Sequence, residues 1–338
     1  MSGWKRTFWL SLALGWSGWL QAADPDPLTP PPEQPMSSPR PNIKTHTLGG
    51  VQFWGDVAFC HGWHIQKNVF TGHYRLLDDK DVRHAWGTCD ACDATLRRIR
   101  DEKKLPPMRG TAVIILHGLG RSDKSVQRIK RHFDKAGNYT VAMNYPSLRA
   151  SVQQNAEYLH EVVASLEGIE KVHLVGFSMG GIVVRQYLAE HQDPRIGRVV
   201  LIGSPNQGAE LATMLKDWWA YKALVGPAGQ DLATAPHGLA PKLPAPLCEF
   251  GIIAGCRGID DGYNPLIPGD DDGTVSLQST RLAGANDYLT VQTIHQLLLS
   301  TPSVFAAAEH FLEQGRFRPD VDPDPIPREP GERGASAP

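Results

Sequence analysis

The chain has 338 residues and a formal net charge of −2. That length supports one large core domain of about 200–270 residues with flanking segments to spare. The near-neutral balance gives no electrostatic case for nucleic acid as a partner.

At the N-terminus, Lys5 and Arg6 precede an apolar run from Thr7 to Leu20, and Gln21-Ala22-Ala23 offers small residues for cleavage. This is the layout of a secretory signal over 1–23. The run is short of the roughly 20 residues that a membrane span needs. No cysteine follows it to carry a lipid, so an exported protein is expected, in a periplasm or outside the cell. Residues 24–41 and the tail 318–338 are rich in proline and read as disordered or PPII-like segments.

Residues 42–109 read as an N-terminal extension packed on the main sheet. Strands are expected over 51–59 and 63–70 around a turn at His61-Gly62, with 74–77 extending them. A helix is expected over 93–104, stopped by Pro106-Pro107. The aromatic residues here read as core.

Five cysteines in an exported chain point to disulfides, with one thiol left over. A bridge from Cys60 to Cys89 or Cys92 is expected. Cys248 and Cys256 flank a strand and are a second candidate pair, although extended chain between them would hold them too far apart. Cys89-Asp90-Ala91-Cys92 also admits a redox reading, which requires a low-pKa, exposed thiol. No second CxxC completes a zinc site.

From Thr111 onward strands and helices alternate, the pattern of a mostly parallel sheet with helices on both faces. Strands are expected near 111–116, 139–144, 171–176, 198–203, 250–255 and 287–292, and helices near 123–136, 151–167, 179–191 and 302–314. The first strand runs into His117-Gly118-Leu119-Gly120. The third runs into Gly176-Phe177-Ser178-Met179-Gly180-Gly181, a G-x-S-x-G between an apolar strand and a helix. A serine on such a turn is raised above the sheet edge, over the N–H groups of the next helix. Backbone N–H groups of Leu119 and Met179 are the candidate oxyanion donors. His117 precedes the serine and reads as a packing residue.

The expected order is serine, acid, histidine. Asp270-Asp271-Asp272-Gly273 forms an acidic turn after the fifth strand, and His295 follows the last one. Asp272, directly before the glycine, is the first choice of acid and Asp271 the second. The run lacks the ligand spacing of a calcium loop. His191, His237 and His310 are weaker candidates for the base. Between strands, residues 206–247 form a long insertion that reads as a lid or cap, with Trp218 and Trp219 as candidate acyl-pocket residues.

Together, His117-Gly118-Leu119, Gly176 to Gly181, Gly203-Ser204-Pro205-Asn206-Gln207-Gly208, Asp272-Gly273-Thr274-Val275 and His295 resemble the α/β-hydrolase superfamily, close to bacterial lipases and esterases. The resemblance covers roughly 110–316, within a catalytic domain at 110–317. It implies an α/β-hydrolase fold with a lid, and an aspartate before Gly-x-Val as the acid, which agrees with Asp272. Many such lipases carry a calcium-binding aspartate just after the histidine. Here Gln296, Leu297 and Leu298 stand there, so no metal or cofactor is expected. The expected activity is hydrolysis of carboxylic esters, lipid or short acyl, through an acyl-enzyme on Ser178, with transient contact at lipid surfaces. An acyltransferase or amidase would use the same groups, and a non-catalytic protein of this fold is the rival from another class.

Overall fold

The architecture comes from a computed structural model, which describes residues 44–47, 49–215, 226–227, 229, 231–234 and 238–328. The expected signal and linker segments, Trp218, Trp219 and His237 lie outside the described residues.

An antiparallel sheet comes first. Its strands are β1 (Thr45–His46), β2 (Trp54–Cys60), β3 (Trp63–Asn68), β4 (Tyr74–Leu77) and β5 (Val82–Gly87), in the order β1-β5-β4-β3-β2. His61 and Gly62 both take positive φ, 48° and 82°, which matches the twist of a tight hairpin between β2 and β3. Strand β5 is not expected from the sequence because only Ala85 of it is buried, so its apolar alternation is weak. Helix α1 (Cys89–Lys103) begins earlier than expected. Thr88 caps it, its Oγ1 accepting the Ala91 N–H at 3.2 Å.

The second sheet has six strands: β6 (Thr111–Leu116), β7 (Tyr139–Met143), β8 (Lys171–Phe177), β9 (Ile196–Ile202), β10 (Phe250–Cys256) and β11 (Asp287–Gln292). Their order is β11-β10-β9-β8-β6-β7 and every neighbouring pair is parallel. The helices are α2 (Gln127–Lys135), α3 (Val152–Ser165), α4 (Met179–Glu190), α5 (Glu210–Leu215), α6 (Leu277–Thr280) and α7 (Pro302–Gln314).

Side chains alternate across this sheet with the period of a strand. Ala112, Ile114 and Leu116 of β6 and Val172 and Leu174 of β8 join one apolar cluster. Val113, Ile115, Val175 and Phe177 join the other. The first cluster includes Leu159 of α3 and Val183 of α4, and also Ile65, Leu76, Leu96 and Ile99 of the N-terminal segment. The second takes Ile129 and Phe133 of α2 and Ala308 and Phe311 of α7. Both faces are therefore covered, as a parallel sheet requires, and residues 54–99 share a core with β6 and β8.

The disulfide expectation is corrected: all five cysteines are free thiols. Cys248 and Cys256 bracket extended β10, and eight residues at about 3.3 Å each separate them by some 26 Å. Cys92 is fully buried, and burial pushes its thiol up to about 12, while Cys89 is also raised, by partial burial and then by Asp90. Cys89 is exposed, but neither thiol is lowered as a reactive thiol's must be, which counts against the redox reading of this CxxC.

Part of the segment expected to be disordered is held in place. The Asp287 carboxylate accepts the Phe317 N–H at 2.7 Å and the Asp324 N–H at 2.9 Å, and Ile326 exchanges backbone bonds with Gly284 and Ala285. Asp287→Ala is expected to cost about 2 kcal/mol in urea unfolding, since both bonds are made to a buried charged acceptor. Limited proteolysis should then cut faster within 318–328; unchanged stability and cleavage would show that the segment holds itself.

Candidate active site

The site lies at the carboxyl ends of the parallel strands, where open α/β sheets place ligands. Ser178 stands between β8 and α4 with φ 54° and ψ −124°, a conformation that a residue with a Cβ rarely adopts. Close packing holds it there. Its N–H donates to Ile202 O at 2.8 Å, and its carbonyl accepts the Gly181 N–H at 3.0 Å. A Cβ on Gly176 would come within 2.5 Å of the Gly181 Cα, and one on Gly180 within 2.7 Å of the carbonyl oxygens of Leu116 and His117. The glycines thus let α4 press against the ends of β8 and β6. Gly118 sits next to the serine, since a Cβ there would lie 3.1 Å from the Ser178 Cβ. Leu119 is the next residue on that loop, and Met179 is the first residue of α4.

His295 and Asp272 form a buried pair. His295 Nδ1 lies 2.7 Å from Asp272 Oδ2, with side chains 7% and 0% exposed. The His295 N–H also donates to the Asp272 carbonyl at 2.8 Å. The other carboxylate oxygen of Asp272 accepts N–H groups from Thr274 at 3.0 Å and Val275 at 2.8 Å. A carboxylate so supplied can orient an imidazole with Nδ1 protonated and Nε2 left as a base. Asp271, by contrast, ties its own turn, accepting N–H groups from Gly273 and Asn264 at 2.5 and 3.1 Å.

Phe177, the residue before the serine, packs on the pair, its ring 4.8 Å from the His295 ring. Glycines again make the room. A Cβ on Gly203 would come 3.2 Å from His295 Cε1, and one on Gly255 2.7 Å from Asp272 Cβ. Both glycines are visible in the sequence at strand ends, where a strand closing on glycine marks a close approach.

His117 is a different kind of histidine. It is fully buried, stacks on Tyr145 at 4.1 Å, and its Nδ1 lies 2.8 Å from Gly118 O. Burial pushes its pKa down to about 4. It is a packing residue that stays neutral at ordinary pH.

Two arrangements have no counterpart among the sequence-based expectations. Arg185 of α4 is buried, and its partners among the described residues are carbonyls: it donates to Asn206 O at 2.9 Å, to Pro244 O at 3.4 Å and to Leu243 O. It therefore ties together both flanks of the 206–247 insertion. Gln52 and Asp56 of the N-terminal segment reach the loops after β6 and β7, with no local signal in the sequence to announce them. Gln52 Nε2 donates to Arg121 O at 2.8 Å, and Asp56 Oδ2 accepts the Asn144 N–H at 2.6 Å. Among the described residues, Glu157, Glu190 and His191 bring metal-ligating atoms within 4.8 Å of one another, but at the far end of α4 from Ser178 and on the surface.

Residues 111–227 match the family model for the alpha/beta hydrolase fold. A 2-hydroxy-6-oxononadienedioate/2-hydroxy-6-oxononatrienedioate hydrolase of Comamonas testosteroni is 32% identical over 117 residues, which cover 31% of this chain and 41% of that protein. Among solved structures, a Bacillus licheniformis lipase in its propeptide form aligns over 66% of this chain and 53% of its own, at 20% identity and a TM-score of 0.49. The mature form of that lipase aligns over 62% and 94%, at 21% identity and a TM-score of 0.46. The chain thus spans less than half the length of the curated relative and about half that of the propeptide-form lipase.

The buried histidines make stability depend on pH. Burial holds His117, and also His173, down at about 4, while the unfolded chain takes up these protons near 6.5. Their stabilisation is complete above pH 6.5 and is lost as the pH falls towards 4, by about 3 kcal/mol for one such imidazole. His64 runs the other way: burial would lower its pKa, but the Asp56 carboxylate at 2.8 Å outweighs that and leaves it raised, so its contribution fades as pH rises. Urea unfolding of His117→Phe between pH 7 and 4 should show a shallower acid slope than the parent chain. Equal slopes would mean that His117 is not held neutral.

Proposed function

We propose that this chain, which has the α/β-hydrolase fold and motifs that resemble those of lipases and esterases, is an exported serine hydrolase of carboxylic esters. The observation that carries this reading is the buried His295–Asp272 pair, packed on Phe177, the neighbour in chain of a serine held at positive φ on a strand-to-helix turn.

Ser178 Oγ attacks the ester carbonyl carbon while His295 Nε2 takes its proton. Asp272 keeps the imidazole in the required tautomer and stabilises its charged form. The oxyanion of the tetrahedral intermediate is held by the N–H groups of Leu119 and Met179, the second of which begins α4 and adds the positive end of that helix. Collapse breaks the C–O bond, and His295 returns its proton to the leaving alcohol. Water, deprotonated by the same histidine, then attacks the acyl-enzyme, and the carboxylic acid leaves with Ser178 restored. Export rests on the N-terminal charged and apolar pattern with its Ala22-Ala23 site. Among the described residues no helix is long and apolar enough to cross a membrane.

The test is hydrolysis of p-nitrophenyl esters of short, medium and long acyl chains by the mature protein and by Ser178→Ala. Loss of turnover in Ser178→Ala upholds the reading, and the chain-length profile separates esterase from lipase. Turnover that survives the substitution refutes it, and inactivity of both proteins on every ester moves acyl transfer or amide hydrolysis forward. The aspartates give a sharper comparison. Asp272→Asn should lower kcat about 10³–10⁴-fold, by leaving the imidazole in the wrong tautomer. Asp271→Asn, which alters only a turn, should act on stability with kcat within a few-fold of the parent. Equal losses in kcat would return the assignment of the acid to the open choice between them.

A further inference from the structure

The loop that carries Leu119 is braced from outside the catalytic sheet. Gln52, only 7% exposed, lies just before β2 in the N-terminal segment. Its Nε2 donates to Arg121 O at 2.8 Å. Its Oε1 accepts the Ser147 hydroxyl at 3.1 Å and the Leu148 N–H at 2.6 Å. Ser147 Oγ in turn accepts the Gly120 N–H at 3.0 Å. On the oxyanion loop the bracket thus grips Gly120 and Arg121, the two residues after Leu119, and it spans the loops after β6 and β7.

We infer that Gln52 is a positioning residue for the oxyanion loop, fixing the Leu119 N–H through Arg121, Ser147 and Gly120. The inference rests on the proposed serine-hydrolase reading and deepens it. The physical case is one of satisfied valence. One amide uses a donor and an acceptor that point opposite ways, so it can hold two loops at a set separation. A single carboxylate could not do both. A neighbouring set of bonds fixes the same segment: Asp56 takes the Asn144 N–H at 2.6 Å and returns its own N–H to Asn144 O at 2.8 Å, and Asn144 Nδ2 donates to Trp54 O at 2.9 Å. Gln52 is thus anchored at its own end before it reaches across. An oxyanion donor acts through preorganisation, so a shift of a few tenths of an ångström in the loop weakens the transition state more than it weakens substrate binding.

The experiment compares Gln52→Met, which keeps the side-chain volume and removes every bond, with Gln52→Glu, which keeps the acceptor and loses the donor to Arg121 O. Ser147→Ala removes the Gly120 link alone and serves should the Gln52 variants fail to fold. For each, kcat and KM are measured on the best p-nitrophenyl ester, with Ki for a trifluoromethyl ketone of matching acyl length, whose serine adduct carries the oxyanion. The expected result is a fall in kcat of about tenfold or more in Gln52→Met, with KM within about twofold, since full loss of one donor costs about 10²–10³-fold. Ki should rise in parallel with the loss of kcat/KM, and Gln52→Glu and Ser147→Ala should fall between Gln52→Met and the parent. Folded variants with unchanged kcat and Ki overturn the inference, as does a drop in melting temperature with no change in either. Ser178→Ala, run alongside, separates the two ideas: if it stays active, the serine-hydrolase reading fails, whereas an inactive Ser178→Ala with unaffected Gln52 variants sinks the positioning role alone.

Discussion

The structure depends on one close approach, that of α4 to the ends of β8 and β6. It requires Gly176 and Gly180 to carry no side chain, because a Cβ at either would enter the backbone of a neighbouring element. The same approach forces Ser178 to φ 54°, and strain of this kind persists only where the surroundings over-determine it. Here the surroundings do so with two backbone hydrogen bonds and apolar packing on both faces of β8. The consequence of the approach is spatial. The serine is lifted to the sheet edge, Gly118 is drawn beside it, and the start of α4 lies under it.

Histidine chemistry in this chain is sorted by the groups that face each ring. His117 and His295 both follow a parallel strand and both are buried. His117 meets an aromatic ring and main-chain groups, so burial wins and the proton is refused. His295 meets instead the carboxylate of Asp272, at 2.7 Å. The other oxygen of that carboxylate accepts two main-chain N–H groups, which fix the aspartate in place. Position after a strand does not decide what a histidine can do; the groups packed against its ring do.

Local features of this fold are legible in the sequence, and contacts between distant segments are not. The six parallel strands show as apolar runs, and the turn at Ser178 shows as glycines around a serine between a strand and a helix. Chain order narrows the acid to the run 270–272, the glycine after Asp272 makes it the first choice, and His295 is picked out by following the last strand. The expectations that fail depend on neighbours the sequence does not name. β5 is half-exposed and has little alternation to read, while the start of α1 lies earlier than its apolar pattern suggests although Thr88 offers a cap. The disulfide expectation rests on composition and compartment, and the geometry of β10 forbids one of the bridges outright. Gln52, Asp56 and Arg185 act on residues that lie from about twenty to nearly a hundred positions away, and a polar residue of that kind has no periodicity to betray it.

These long-range polar ties bear on where the working unit ends. The stretch that matches the hydrolase family model begins at Thr111, yet the loop bearing Leu119 hydrogen-bonds to Gln52 and the core of β6 is continued by Ile65, Leu76 and Leu96. Loops at the carboxyl ends of parallel strands are built to vary, because the sheet beneath them fixes only their first and last residues. Precision in such a loop has to come from a second support. In this chain the support on one side is the antiparallel sheet, through Gln52 and Asp56. On the other side it is Arg185, a cation whose pKa burial lowers to about 10, directed at carbonyls on both flanks of the 206–247 insertion. Burying a guanidinium without a carboxylate is unfavourable unless its donors are met, and here they are met by the segments that border the site. Residues 49–68 therefore belong to the catalytic unit as a structural partner of its loops, and a chain cut to begin at Thr111 would lose one wall of its core together with the bracket behind Leu119.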